Sequence, residues 1–143
     1  MSIEDDEEAV AQLVRSARRV AVLGIKTEDN ARQPAFYVPQ YLQSAGVTIV
    51  PVPVYFPEVT HILGEPVYRR VQDVPPPPVD IVDVFRRSQD VAAHVPDLLA
   101  AKPRAVWLQL GIRDDASVRI LSDNGILVVQ DRCLLVDHKR YAR

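Results

Sequence analysis

The chain has 143 residues, of which 48% are hydrophobic and 25% charged, and its formal net charge is −2. This size favours a single domain over 1–143, the near balance of charge argues against a nucleic-acid partner, and the single cysteine rules out an internal disulfide. The acidic start is unlike a signal peptide, and no apolar run approaches the ~20 residues that cross a bilayer. We therefore expect a cytoplasmic protein with no membrane partner.

The first half of the chain predicts two helices and two strands. The predicted elements are a helix over 9–18, a strand over 19–24, a helix over 34–45 and a strand over 47–52. Apolar residues at helical spacing indicate the first helix, which we expect to pack on the domain as an element within 1–18. Continuous apolar runs, rich in β-branched residues, are typical of parallel strands buried on both faces.

The second half continues the alternation after an irregular stretch. Its predicted elements are an edge strand over 67–70, a strand over 79–85, a helix over 88–101, a strand over 105–111, a helix from 114 or 115 to 123, a strand over 126–129 and a short closing helix within 132–143. We interpret Ser88 as the N-cap of its helix and an aspartate, Asp114 or Asp115, as the cap of the next.

Strands that alternate with helices predict a parallel sheet covered on both faces. The fold class is therefore α/β and Rossmann-like, with an open, doubly wound, mostly parallel sheet of about five strands. In such sheets ligands bind beyond the carboxyl ends of the strands, where the strand order reverses. The residues just after each strand are the ones to consider for a site.

Five cationic side chains are predicted to lie on this edge of the sheet: Lys26, Arg32, Arg86, Arg87 and Arg132. Arginine binds phosphate through a bidentate fork, although for any single one of these side chains a place on a solvated basic surface is the more usual role. Arg86 and Arg87 are the best candidates because they directly follow an apolar strand. Phe85 or Trp107 could stack on a purine, but Trp107 within an apolar run is more typical of a core residue.

The expected marks of several enzyme classes are missing. One glycine, Gly24, stands where dinucleotide enzymes have three, and no carboxylate follows the second strand, which argues against a nicotinamide cofactor. The three histidines are scattered without metal-ligand spacing, so we predict no metal site. Asp80 and Asp83 lie in one predicted strand at an odd separation, so they face opposite sides of the sheet. They are interpreted as hydrogen-bonding residues. We assign no catalytic residue; Cys133 is a weak candidate nucleophile, and the alternative is a small buried hydrophobe.

Several segments together resemble a known family. They are VAVLG (20–24), RxPxxYVxxYL (32–42), IVPV (49–52), LGEPVY (63–68), DIVDVFRRSQDV (80–91), VWLQLGI (106–112) and GILVVQDRC (125–133). In this order the chain resembles the small stand-alone CoA-binding proteins related to the CoA-binding domain of the succinyl-CoA synthetase α subunit. The resemblance implies a Rossmann-like fold that holds coenzyme A or an acyl-CoA, with its 3′-phospho-ADP part along the first turn and the loop after the second strand.

The resemblance and the strand ends together give one set of candidate cofactor-binding residues. They are Gly24, Ile25, Lys26, Thr27, Arg32, Val52, Pro53, Phe85, Arg86, Arg87, Gln109 and Gly111. Val52 and Phe85 are expected to flank the adenine. The family usually has Val-Asn-Pro after the second strand, where this chain has Val52-Pro53-Val54, and it often has a serine two residues after the first glycine, where this chain has Lys26.

Three functional hypotheses follow. In the first, the domain binds CoA or an acyl-CoA as a non-catalytic binding, carrier or regulatory module. In the second, Cys133 exchanges thiol or acyl groups with CoA. In the third, the change at Val52-Pro53-Val54 has removed nucleotide binding, and the chain acts as an interaction protein, through a homodimer or with an unknown protein partner.

Overall fold

The computed structural model describes residues 2–142, which contain seven strands and five α-helices. The strands are β1 (Arg19–Leu23), β2 (Thr48–Val52), β3 (His61–Ile62), β4 (Glu65–Pro66), β5 (Ile81–Val84), β6 (Ala105–Leu108) and β7 (Leu127–Val129). The α-helices are α1 (Glu7–Ser16), α2 (Pro34–Ser44), α3 (Val95–Ala101), α4 (Asp115–Asp123) and α5 (Leu134–Tyr141). Short 3₁₀ segments cover Glu28–Asn30, Val71–Asp73 and Ser88–His94.

Five of the strands form one parallel sheet in the order β2-β1-β5-β6-β7. The chain moves outward from β1 to β2 and then returns to the other side of β1 with β5. The strand order therefore reverses between β1 and β5, where Leu23 is in register with Val84. The predicted α/β fold with a doubly wound parallel sheet is confirmed.

Each face of the sheet is covered by its own apolar core. Leu13 of α1, Phe36 of α2 and Leu134 of α5 share one cluster of buried residues. Leu98 of α3 and Leu121 of α4 belong to the cluster on the other face. Because both faces are covered, the strands read as continuous apolar runs, and the edge at their carboxyl ends is left for a ligand.

Trp107 lies in the middle of this arrangement. It is fully buried on β6, and its indole Nε1–H donates to the carbonyl of Arg132 at 2.8 Å. The interpretation of Trp107 as a core residue is confirmed. Its hydrogen bond satisfies the one polar group that burial would otherwise leave unpaired.

The predicted edge strand over 67–70 is wrong in position. Leu63 and Gly64 both have positive φ, at 55° and 77°, and make a tight turn that pairs β3 with β4 before residue 67. The chain thus forms a small hairpin of its own. Only one hydrogen bond, from the Tyr68 N–H to the Pro51 carbonyl at 3.0 Å, joins the predicted segment to the edge strand β2.

The predicted helix over 88–101 is divided in two. Its first part is the 3₁₀ segment Ser88–His94, and α3 begins only at Val95, with Pro96 in its first turn. A proline favours a helix start because it lacks the N–H that a preceding turn would need. Ser88 is not an N-cap, since its Oγ accepts from the Arg113 N–H at 3.1 Å. Asp114 does occupy the cap position of α4, but its side chain makes no capping hydrogen bond to the backbone.

Candidate functional site

The strand ends meet most closely at Gly24, where the order of the sheet reverses. Its N–H donates to the Val52 carbonyl at 2.9 Å, and its φ is +88°. A Cβ at this position would lie 2.3 Å from the carbonyl oxygen of Phe85. Only glycine fits here, so Gly24 is required by the close approach of two strand ends whatever else it contacts.

The first turn leads directly to the amino end of α2. Ile25 is fully buried, and the Lys26 N–H donates to the Ala35 carbonyl at 3.1 Å, which fixes the turn against the helix. The Lys26 ammonium hydrogen-bonds the side chain of Gln33, which occupies the cap position without capping the helix itself. Pro34 has no N–H, and the N–H groups of Phe36 and Tyr37 both donate to the Gln33 carbonyl, so it is the helix dipole that makes this end favourable for an anion.

Arg86 is held in place by residues from two different segments. Its side chain is 16% exposed, and its Nε–H donates to Nε2 of His94 at 3.1 Å. The guanidinium lies 5.6 Å from the ring centroid of Tyr55 and 3.4 Å from its hydroxyl, and Asp90 lies 3.8 Å away. Arg87 instead points outward, with a side chain 73% exposed and paired to Asp90 at 2.9 Å.

These contacts set the charge state around Arg86. Burial, and then the positive charge of Arg86, lower the pKa of His94 from its usual value of 6.5. A neutral His94 keeps a free lone pair on Nε2, which is what the Arg86 N–H needs. The hydrogen bond from Arg86 also lowers the pKa of the Tyr55 hydroxyl. The groups around the Arg86 guanidinium are therefore an imidazole, a phenol and one carboxylate, that of Asp90.

A cavity of about 450 Å³ opens beside Arg86, over the ends of β5 and β6 and the first turn of α2. Its lining residues are Gln33, Pro34, Ala35, Tyr37, Phe85, Arg86, Arg87, Gln109, Leu110, Ile112 and Cys133. Most of the walls are apolar, and Tyr37 and Leu110 are large apolar side chains that stay exposed, at 40% and 69%. We call this space the β5–β6 cavity. Its composition suits a ligand with an apolar arm and an anionic end.

Gln109 supplies a buried polar group in this cavity. The residue is 4% exposed, and its Oε1 accepts from the Leu134 N–H at the start of α5, at 2.9 Å. Its amide nitrogen has no hydrogen-bond partner among residues 2–142. This nitrogen is nevertheless not sealed from solvent. The free donor is therefore reachable from the cavity that Gln109 lines.

The structure brings only some of the predicted residues together. Phe85, Arg86, Arg87 and Gln109 line the β5–β6 cavity. Thr27 belongs to a second cavity of about 330 Å³ on the β1–β2 side.

The remaining predicted residues contribute little side-chain surface to either cavity. Val52 and Pro53 are buried, so they could offer a ligand little more than backbone. Arg32 is exposed, with no hydrogen bond or ion pair within 2–142, and the Gly111 N–H donates to Asp131 at 2.6 Å.

Several cavity and support residues were not predicted. Tyr37, Tyr55 and His94 approach the site from α2, from the loop after β2 and from the 3₁₀ segment before α3. The position of His94, eight residues after Arg86, gave no signal of this contact, because side chains that meet on a helix are three or four residues apart.

Arg132, expected on the ligand edge, has a structural role. Its guanidinium donates to the carboxylates of Glu7 and Asp137, each at 2.8 Å, and to the Glu4 carbonyl at 2.7 Å. These bonds tie the N-terminal helix α1 to α5. Hydrogen bonds from Arg132 and then Tyr141 lower the pKa of Glu7 to about 2, and the hydrogen bonds that Arg132 donates to Asp137 and Glu7 raise the pKa of Arg132.

The two strand aspartates behave differently from each other. The Asp80 carboxylate accepts from the backbone N–H groups of Arg18 and Arg19, at 2.8 and 3.0 Å, as its hydrogen-bonding interpretation predicted. Asp83 is fully buried on β5, and neither oxygen has a partner within 2–142, so the same interpretation of Asp83 is wrong. Burial raises the pKa of Asp83 well above its usual value. Burial therefore favours the protonated, neutral form of Asp83.

The described residues, 2–142, contain neither a metal-ligand cluster nor a helix that could span a membrane. No group of three or more His, Cys, Asp or Glu side chains is placed to hold a metal ion. No helix in that range combines the length and the apolar character that crossing a membrane requires.

Comparison with known proteins gives one family. The family described as the CoA binding domain matches residues 18–139 of this chain. This range contains every predicted cofactor-binding residue and all the residues that line the β5–β6 cavity. The resemblance seen in the strand-end motifs is thereby confirmed.

Individual relatives extend the comparison. A Thermus thermophilus protein, cell-free ID.343, is 38% identical with a TM-score of 0.85, over 95% of this chain and 98% of that one. The uncharacterized protein YneT of Bacillus subtilis (strain 168) is 27% identical over 129 residues, which are 90% of this chain and 91% of that protein. A dinucleotide-forming acetyl-coenzyme A synthetase 1 of Ca. Korarchaeum cryptofilum is 18% identical with a TM-score of 0.69, over 84% of this chain but 26% of the synthetase chain, and shares the fold alone.

Proposed function

The chain belongs to the CoA binding domain family, and from this premise we propose that it binds coenzyme A or an acyl-CoA as a binding, carrier or regulatory module without catalytic residues of its own. The observation that carries this proposal is the position of Arg86. It is a charged side chain, hydrogen-bonded to His94 and Tyr55 and 3.8 Å from the carboxylate of Asp90, at the point where the strand order reverses and at the rim of an apolar cavity.

The anionic end of the ligand binds near the first turn. Arg86 offers a guanidinium fork to a phosphate, and Lys26 and Arg32 supply further positive charge from the loop before α2. The dipole of α2 favours an anion at its first turn. The change from Val-Asn-Pro to Val52-Pro53-Val54 leaves the β2 end to contact the nucleotide through backbone.

The neutral arm of the ligand enters the β5–β6 cavity. Pantetheine is a flexible chain of apolar segments separated by two amides, so it matches apolar walls with few polar groups. The free amide donor of Gln109 is available to one of its carbonyl oxygens. Phe85 and Tyr37 provide ring surface for the arm to pack against.

Calorimetric titration of the purified, ligand-free protein with CoA, in the presence of a thiol reductant, tests the proposal. We expect saturable binding with one CoA per chain, and a loss of affinity of about tenfold or more in Arg86→Met, because charge-assisted hydrogen bonds to phosphate contribute about 1.5–3 kcal/mol. Arg119→Met is the matched control, since Arg119 is exposed on α4 with no hydrogen bond or ion pair within 2–142.

Two results would contradict the proposal. Wild-type protein that is folded but gives no heat with millimolar CoA does not have this function, and the interaction-protein hypothesis then stands in its place. Equal losses in Arg86→Met and Arg119→Met would mean that CoA senses only the net charge of the protein, without a site at the strand ends.

A further inference from the structure

Cys133 lies in the same cavity as Arg86. It directly precedes α5, at the cap position of that helix, and makes no capping hydrogen bond through its side chain. The thiol is free and half-buried, and it lines the β5–β6 cavity together with Phe85 and Arg86. A cysteine with these contacts alone could still be only a small packing residue.

Gln109 is the second, independent sign of a ligand at this place. It is more than nine-tenths buried, its oxygen is fixed by the N–H of Leu134, the residue next to Cys133, and its free amide donor is reachable from the cavity. A donor without a protein partner is available to an acceptor from outside. The free amide donor and the thiol therefore line the same cavity.

We infer that Cys133 forms a reversible mixed disulfide with the thiol of coenzyme A, so that the cavity captures its ligand covalently when CoA disulfide is present. This inference rests on the proposed function, because it needs the phosphates of CoA at Arg86 and the pantetheine arm in the cavity. The amide of Gln109 holds the arm, and the thiol at the end of the arm reaches Cys133.

The step is a thiol–disulfide exchange in which CoA disulfide is the oxidant. The Cys133 thiolate attacks one sulfur of CoA disulfide; the bond between the two ligand sulfurs breaks, and a bond from Sγ to the bound CoA sulfur forms. The second CoA leaves as a thiolate and takes up the proton that Cys133 lost. Any excess of free thiol reverses the exchange, so the protein alternates between non-covalent and covalent binding of CoA.

Intact-mass spectrometry without reductant measures the step directly. Reduced, ligand-free wild-type protein is mixed with CoA disulfide or with the same concentration of oxidised glutathione. We expect one adduct per chain, with the mass of CoA less two hydrogen atoms, and a rate at least about tenfold greater with CoA disulfide, because binding raises the effective concentration of the ligand sulfur. Dithiothreitol should remove the adduct.

Two variants serve as controls. Cys133→Ser removes the only cysteine of the chain and should give no adduct. Adding Ser44→Cys to Cys133→Ser places an exposed thiol at the far end of α2, away from the cavity, and should abolish the preference for CoA disulfide over glutathione disulfide.

The outcomes separate the inference from the proposed function. If reduced wild-type protein binds CoA in the calorimeter but reacts equally with both disulfides, or with neither, the mixed disulfide is overturned and CoA binding stands. If it does not bind CoA at all under reductant, the proposed function fails, and the inference that rests on it fails too.

Discussion

Arg86 and Arg132 occupy equivalent places in the sequence, each shortly after a buried strand, and yet they have opposite roles. Arg132 donates to two carboxylates and a carbonyl, so its charge is neutralised within the protein. Arg86 contacts a neutral imidazole and a phenol, with its nearest carboxylate at 3.8 Å. An arginine hydrogen-bonded to two carboxylates joins elements of the fold, whereas one whose single ion pair is long, at 3.8 Å, keeps its fork available for a ligand.

The largest effect expected from this comparison is on stability. Arg132→Met should lower the free energy of unfolding by about 3–5 kcal/mol, because it leaves the buried carboxylate of Asp137 without its cation and releases α1 from α5. Arg86→Met should cost about 1 kcal/mol or less, since its partners are neutral or half-exposed. Urea denaturation at neutral pH measures both.

The same pair of variants gives the reverse order in CoA affinity. Arg86→Met weakens CoA as described above, while folded Arg132→Met should bind it within about twofold of the wild type, since an affinity change that small is under 0.5 kcal/mol. A large loss of affinity in Arg132→Met, at a temperature where it is folded, would break the distinction between the two arginines.

Asp83 extends the comparison, because its buried carboxyl has neither a cation nor a hydrogen-bond donor as a partner within 2–142. Its folded-state pKa is raised, so the folded protein binds a proton more tightly than the unfolded chain. Stability is therefore lost as the pH rises above the unfolded value of 3.8, by about 1.4 kcal/mol per pH unit until the folded pKa is reached.

Replacing Asp83 by asparagine removes this ionisation while keeping the shape of the side chain. Asp83→Asn should be more stable than the wild type at pH 7, and the difference should shrink towards zero as the pH falls to about 4. Thermal unfolding of both proteins across this range measures the difference. A constant difference at every pH would mean that Asp83 finds a counter-charge and stays ionised.

The same residues show which parts of the fold and of the site could be predicted from the sequence. The five parallel strands and the reversal at Gly24 were predictable, because strands buried on both faces read as apolar runs and their order follows from alternation with helices. The partners of Arg86 and Arg132 were not. Glu7 lies 125 residues from Arg132, and Tyr55 lies 31 residues from Arg86 in a segment without regular structure.

The misplaced hairpin and the orphan Asp83 have a similar origin. Local propensity identified an extended segment near residue 67, but the turn at Leu63 and Gly64 decided which residues pair. The alternation of Asp80 and Asp83 predicted that they face opposite sides of the sheet. It did not reveal that backbone N–H groups exist on the Asp80 side alone, since that depends on where α1 delivers the chain.

The smallest expected effect concerns how Arg86 is held. His94→Leu removes the acceptor for the Arg86 Nε–H, so the guanidinium becomes free to turn away from the cavity, and CoA affinity should fall about threefold to tenfold, the value of one neutral hydrogen bond. His94→Gln offers an amide oxygen to the same N–H and cannot titrate, so it should retain most of the wild-type affinity. Calorimetry at pH 7.5, where a histidine with a pKa below 6.5 is neutral, makes the comparison independent of protonation. Equal affinities for His94→Leu and the wild type would show that Tyr55 alone fixes Arg86, and that neutral partners need not donate or accept hydrogen bonds to keep a ligand-binding arginine in place.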